Sequence, residues 1–143
     1  MAAFVQYEIF PRDLGLKVHD LNADTLKIAL TNTAPNIGTH EVRADISEIA
    51  TGGGYTQNGA GNDIQNAFTE NPAGTGELTG VDLVFTATTG FGPFRYAVLY
   101  NDTPTSPADP LIGYWDYGSS ISLGAGETFT VDFGANILTI TRV

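Results

Sequence analysis

The sequence predicts an all-β domain, a β-sandwich with a jelly roll as the expected arrangement, carrying one short helix and long glycine-rich loops. Three observations lead there. Phe94, Tyr96, Val98 and Tyr100 alternate with Arg95, Ala97 and Leu99, so one face of this stretch is wholly apolar or aromatic and the other nearly so. Such a strand belongs in the middle of a sheet. A second aromatic stretch, Leu111-Ile112-Gly113-Tyr114-Trp115-Asp116-Tyr117-Gly118, follows across a loop with three prolines. The 17 glycines and 7 prolines punctuate the chain at the spacing of short strands, and seven or so strands can be placed between them.

Taken in order, Val5, Tyr7 and Ile9 alternate with Phe4, Gln6, Glu8 and Phe10 until Pro11, which gives a short first strand or an extended N-terminal arm over residues 1–10. Leu26, Ile28 and Leu30 alternate with Lys27, Ala29 and Thr31 as a half-buried strand, closed by Asn32-Thr33-Ala34-Pro35-Asn36. Val42, Ile46 and Ile49, spaced by four and three, place the helix at 39–50, with Gly52-Gly53-Gly54 to end it. Residues 51–76 read as long Gly/Asn-rich loops with an edge strand near 64–68. Loops of that length in a compact domain are usually functional or ordered against a partner. Further strands are expected at 81–88, 94–100, 111–117, 128–133 and 137–143, and no internal repeat is visible.

At 143 residues the chain is read as one domain, 1–143, able to bury roughly 70% of the surface its unfolded form exposes. It has no cysteine, which removes disulfides, thiolate metal sites and a cysteine nucleophile together. The formal charge is −10, and the six cations (Arg12, Lys17, Lys27, Arg43, Arg95, Arg142) are scattered. Nucleic-acid binding relies on clustered cations, and anionic membranes repel such a charge, so neither is an expected partner. A basic protein surface is. No apolar run approaches the ~20 residues of a membrane span, and the start of the chain lacks the pattern of a secretory signal. Synthesis in the cytoplasm is expected.

Several stretches carry a trace of chemistry. Asp20-Leu21-Asn22-Ala23-Asp24 opens like a calcium loop, but Thr25 stands where the tight turn wants glycine and Thr31 where a bidentate glutamate is needed, so a capped turn is the better reading. Gly52-Gly53-Gly54 and Gly59-Ala60-Gly61 lack the strand, helix and Gly-Lys-Ser/Thr of a phosphate cradle and read as flexible loop. His19 and His40 have no paired spacing, and no serine sits in a nucleophile elbow, so both histidines read as surface or loop residues. Asp116, between Trp115 and Tyr117, suggests a desolvated acid of glycosidase type, with no second acid to pair with it. The chain is expected to be no enzyme and to need no cofactor or metal. Tyr114, Trp115 and Tyr117 form a candidate aromatic surface for sugar stacking or a protein interface, weighed against ordinary core packing.

The phrases Asp24-Thr25-Leu26-Lys27-Ile28-Ala29-Leu30-Thr31-Asn32-Thr33-Ala34-Pro35, Ala44-Asp45-Ile46-Ser47-Glu48-Ile49-Ala50 with Gly53-Gly54-Tyr55-Thr56, Gly92-Pro93-Phe94-Arg95-Tyr96-Ala97-Val98-Leu99-Tyr100-Asn101-Asp102, Leu111 to Gly118 and Gly126-Glu127-Thr128-Phe129-Thr130-Val131 resemble a group of small structural proteins of tailed bacteriophages and prophages. The resemblance covers most of residues 24–133 and includes no catalytic signature. It implies a virion component, most like a capsid decoration or cement protein that acts as a homo-oligomer, with the major capsid protein as partner and the capsid surface as location. A tail-associated β domain is the alternative within the particle. A carbohydrate- or receptor-binding module using the Tyr/Trp cluster is the alternative from another class, and a small hydrolase with an unrecognised site is a third. For assembly, the detachable apolar strip Phe4, Val5, Tyr7 and Ile9 supplies the candidate contacts, as a segment able to add to a neighbour's sheet.

Overall fold

The computed structural model describes residues 2–142. In chain order its strands are β1 (Phe4–Gln6), β2 (Leu26–Thr31), β3 (Ala67–Glu70), β4 (Thr75–Thr79), β5 (Leu83–Thr86), β6 (Gly90–Asn101), β7 (Leu111–Gly124), β8 (Thr128–Val131) and β9 (Leu138–Thr141), with the helix α1 (Ile9–Gly15) after β1. Among the described residues the protein is all-β with a single short α-helix. The strands pair antiparallel in a four-stranded sheet of order β1-β7-β6-β2, a three-stranded sheet β3-β4-β9 and a two-stranded sheet β5-β8. These pairings do not assemble the two four-stranded sheets of a jelly roll.

Where β2, the second half of β6 and the start of β7 run side by side, the four-stranded sheet buries both of its faces, which is why that part of β6 carries almost no polar residue. On one face Leu26, Ile28 and Leu30 stand opposite Asn101, Leu99 and Ala97, and most of these join the main core with Phe85, Phe94, Ile112, Trp115 and Val131. On the other, Ala29 and Val98 pair within a second, smaller core that holds Tyr7, Ile9, Ile46, Tyr100 and Leu111. Fully burying each large apolar side chain contributes about 1.5–3 kcal/mol. All six residues of β2 are buried, Lys27 and Thr31 included, so the half-buried strand expected from its alternation is instead enclosed on both sides.

The helix forms at Ile9–Gly15 and not at 39–50. Pro11 lies in its first turn, where a backbone N–H has no intrahelical partner to lose, and Ile9, Phe10 and Asp13 form the buried stripe. The end is a Schellman motif, with Lys17 N–H bonded to Leu14 C=O and Val18 N–H to Asp13 C=O. Lys17 takes the left-handed position there at φ 65°, where glycine is the usual residue. The segment 39–50 keeps only a 3-10 turn at Arg43–Asp45, because its backbone is used elsewhere. Val42 bridges Pro110, Glu48 bridges Thr31 of β2, and Ile49 N–H bonds Leu30 C=O. A weak helical spacing gave way to hydrogen bonds along the free edge of a sheet.

Residues 51–66 form irregular loop with one 3-10 turn at Ala60–Asn62, as expected of them, but three side chains anchor the loop to the body of the protein. Tyr55, Asn62 and Ile64 are buried, and Gly53 sits at φ 65° against β6, where a Cβ would meet the Gly90 carbonyl oxygen at 1.8 Å. The triple glycine therefore permits close backbone approach. Residues 67–79 form the hairpin β3–β4 where only an edge strand near 64–68 was expected. Both β6 and β7 run well beyond the aromatic cores predicted at 94–100 and 111–117. Bulges between Phe91 and Tyr96 carry the pairing through glycines that periodicity alone reads as breaks.

Candidate functional site

The N-terminal strip predicted for assembly is largely consumed by the protein itself. Phe4, Val5 and Gln6 pair with Trp115, Tyr114 and Gly113 of β7, so this segment is the edge strand of the central sheet. The Phe4 ring packs on Trp115 at 4.8 Å, while Tyr7 and Ile9 lie in the second core. Val5 alone of the four is exposed. Of the short first strand and the extended arm expected over residues 1–10, it is the strand that forms, at Phe4–Gln6, with the helix beginning at Ile9. Burial raises the Tyr7 hydroxyl well above the usual phenol range, with the nearby Tyr114 adding to it.

The aromatic surface is corrected in the same way. Trp115 is 3% exposed, wedged between Phe4 and Phe133, and offers no face for a sugar ring. Tyr114 is half-buried against Tyr7 and Tyr96. Tyr117 stands edge-on to Phe129, its hydroxyl pushed up to about 12 by burial and then by Asp132. Asp116 is half-buried and held by a two-pronged Arg95 contact at 2.8 and 3.1 Å. That hydrogen bonding, with a further bond from Gly118 N–H, lowers its pKa, the opposite of what a proton-donating glycosidase acid requires.

The remaining candidates resolve into turns and one buried imidazole. Asp20 Oδ1 accepts from the N–H groups of Asn22 and Ala23, and Asn22 Oδ1 accepts from Phe68 N–H, so these oxygens hold a turn against β3. His40 Nδ1 accepts from Asn36 N–H near the surface. His19, expected as a surface or loop residue, lies in the loop between α1 and β2 but is 6% exposed beside the Phe10 ring. Its Nδ1 lies 3.0 Å from Asn101 Nδ2, which also donates to Asp24 at 2.7 Å.

The densest polar chemistry gathers where the segment 40–63 crosses β2 and the end of β6, and the sequence reading missed it. Lys27, buried on β2, directs Nζ to Asp102 Oδ2 at 2.9 Å, to the Asn58 backbone oxygen at 3.1 Å and to Asn58 Oδ1 at 3.4 Å. Tyr100, opposite Lys27 in the β2–β6 register, donates its hydroxyl to Asn58 Oδ1 at 2.6 Å. Alongside, Arg43 reaches Glu48 at 2.7 Å and Asp109 at 3.1 Å and lies over the Tyr100 ring. Tyr55 donates to Glu48 at 2.6 Å and accepts from Leu30 N–H at 3.0 Å. An open cleft of about 360 Å³, lined by Arg43, Ile46, Glu48, Gln57 and Asp109, runs beside this group.

Electrostatically the group is a set of fixed charges. Burial pulls the Arg43 guanidinium down, but hydrogen bonds to Asp109 and Glu48 outweigh it and leave the pKa raised. Burial, then the Glu48 charge, pushes the Tyr55 hydroxyl far above the phenol range. Burial does the same for Tyr100, against the pull of Arg43. Both carboxylates facing the cleft are bound to one guanidinium. The legible signal was Lys27 itself, a lone cation in an otherwise apolar strand, for which burial requires a partner. Nothing in the sequence pairs it with Asn58 or Asp102. Comparison with known protein families, with curated proteins and with solved structures gave no match.

Proposed function

We propose that the protein is a non-enzymatic structural component of a tailed-phage particle that binds the outer face of the capsid as a homo-oligomer and ties neighbouring capsomers together. The resemblance of its sequence phrases to small phage structural proteins carries this reading, and its charge arrangement supports it. Arg12, Lys27, Arg43 and Arg95, four of the six cations, are engaged by the protein's own carboxylates. The field presented outward is therefore strongly acidic and suits a basic capsid surface. With Phe4, Tyr7 and Ile9 enclosed, the apolar contacts in this reading fall on outward-facing residues such as Val81 and Val84 on and beside β5, 57% and 54% exposed. In this reading charge speeds and orients docking, while apolar anchors supply most of the affinity.

Shells stripped of the protein should take it up again to a fixed copy number per capsomer and then resist heat better, because a ligand that binds only the assembled state stabilises it by mass action. Uptake should slow in high salt without vanishing. Shells that ignore the protein at micromolar concentration, or uptake confined to tails, would refute capsid binding, and the second outcome would establish the tail reading.

A further inference from the structure

We propose that Lys27 and Asn58 are the two halves of an intramolecular isopeptide bond, formed between Lys27 Nζ and Asn58 Cγ with release of ammonia. The geometry assembles every group the reaction needs. The Lys27 side chain is 9% exposed, with Nζ 3.4 Å from the Asn58 carboxamide oxygen and 2.9 Å from Asp102 Oδ2. Tyr100, fully buried, donates its hydroxyl to the same carboxamide oxygen at 2.6 Å. Asn58 sits at φ 53°, a left-handed conformation that costs an L residue energy and is retained where surrounding structure imposes it. Here it turns the carboxamide back onto β2.

The step balances without an oxidant or a cofactor. Asp102 accepts a proton from the Lys27 ammonium, and the freed lone pair on Nζ attacks Asn58 Cγ. Negative charge develops on Oδ1, where the Tyr100 hydroxyl already donates, as an oxyanion-stabilising group must. The tetrahedral intermediate then expels Nδ2, protonated from Asp102, as ammonia, and the second Nζ proton passes to the freed Asp102 carboxylate and from it to the departing ammonia, which leaves as ammonium. The Nζ–Cγ bond forms and the Cγ–Nδ2 bond breaks. Held this close, the amine and the amide react as one molecule, which lowers the entropic part of the barrier. The product ties the 51–66 segment to the edge strand it covers, a covalent staple in a chain that has no cysteine to make another.

The full chain, incubated at neutral pH and then denatured, should weigh less than its sequence by one ammonia. Trypsin should fail to cut after Lys27 and should release a branched product joining residues 18–43 to 44–95. Asn58 precedes Gly59, so a succinimide within the backbone would lose the same mass, and Lys27→Arg separates the two. The isopeptide predicts that Lys27→Arg returns to full mass, whereas ammonia loss that persists in this variant would assign it to the succinimide and overturn the proposal. Full mass with complete cleavage after Lys27 in the unaltered chain would overturn it as well. Asp102→Asn should slow formation on the order of a hundredfold, the scale of a lost general base, and an unchanged rate would remove Asp102 from the step.

Discussion

Asn101→Ala tests the tie between the end of β6 and the segment that follows the helix. Asn101 is fully buried, and its carboxamide orientation is determined on three sides. Oδ1 accepts from Thr103 N–H at 3.1 Å, while Nδ2 donates to Asp24 at 2.7 Å and to His19 Nδ1 at 3.0 Å. His19 must then present a lone pair at Nδ1, which makes the neutral Nε2–H tautomer the one that fits. Truncation to alanine removes a charge-assisted bond worth about 1.5–3 kcal/mol and a buried neutral bond worth about 1 kcal/mol, whereas the exposed Thr103 N–H can turn to water. The expected loss is about 3 kcal/mol, a large share of the 5–15 kcal/mol, roughly, that holds such a domain.

The same geometry gives the tie a pH dependence. Burial lowers the folded pKa of His19 against the opposing pull of Asp13 and Asp24. In the unfolded chain it titrates near 6.5, roughly the ordinary histidine value. The unfolded state therefore binds the proton first on acidification, so the stabilisation is complete above that pH and is lost as pH falls towards and through the depressed folded value. Urea unfolding, followed by the fluorescence of the single buried Trp115, should show Asn101→Ala losing about 3 kcal/mol at pH 7.5 and a shallower fall between pH 7.5 and 5 than the unaltered protein. A loss below about 1 kcal/mol with an unchanged pH slope would refute the reasoning.

Three further outcomes follow from the fold. Trp115→Ala should cost about 3–5 kcal/mol, and deleting residues 1–7 should unfold the chain, since Phe4 covers Trp115 and Tyr7 is 1% exposed; a truncated chain with unchanged circular dichroism and melting would restore the free-arm reading. Lys17→Gly should raise stability by about 0.5–1 kcal/mol in the same urea assay, because the Schellman position at φ 65° strains any residue with a Cβ; a destabilised variant would mean that the lysine side chain contributes more than the strain it causes.

What the chain determines locally was legible in it. Alternation in 94–100, 111–117 and 128–133 is a property of consecutive residues, and it located β6, β7 and β8 together with the all-β class. Glycine and proline spacing marked most of the turns for the same reason. The helix was misplaced because Val42, Ile46 and Ile49 carry a weak helical spacing that lost to hydrogen bonds along the edge of β2. Conversely, the strand-like alternation at 5–9 holds only as far as Gln6 in β1, and its later part gave way to the helix that buries Ile9 and Phe10. Tertiary structure alone decided that Trp115 is core, that 51–66 is packed, and that Lys27, Asn58, Tyr100 and Asp102 meet. Those four residues span 75 positions of sequence and come together only through the β2–β6 register and the path of one loop. A buried lysine announces its need for a partner, but only the pairing of strands selects which one.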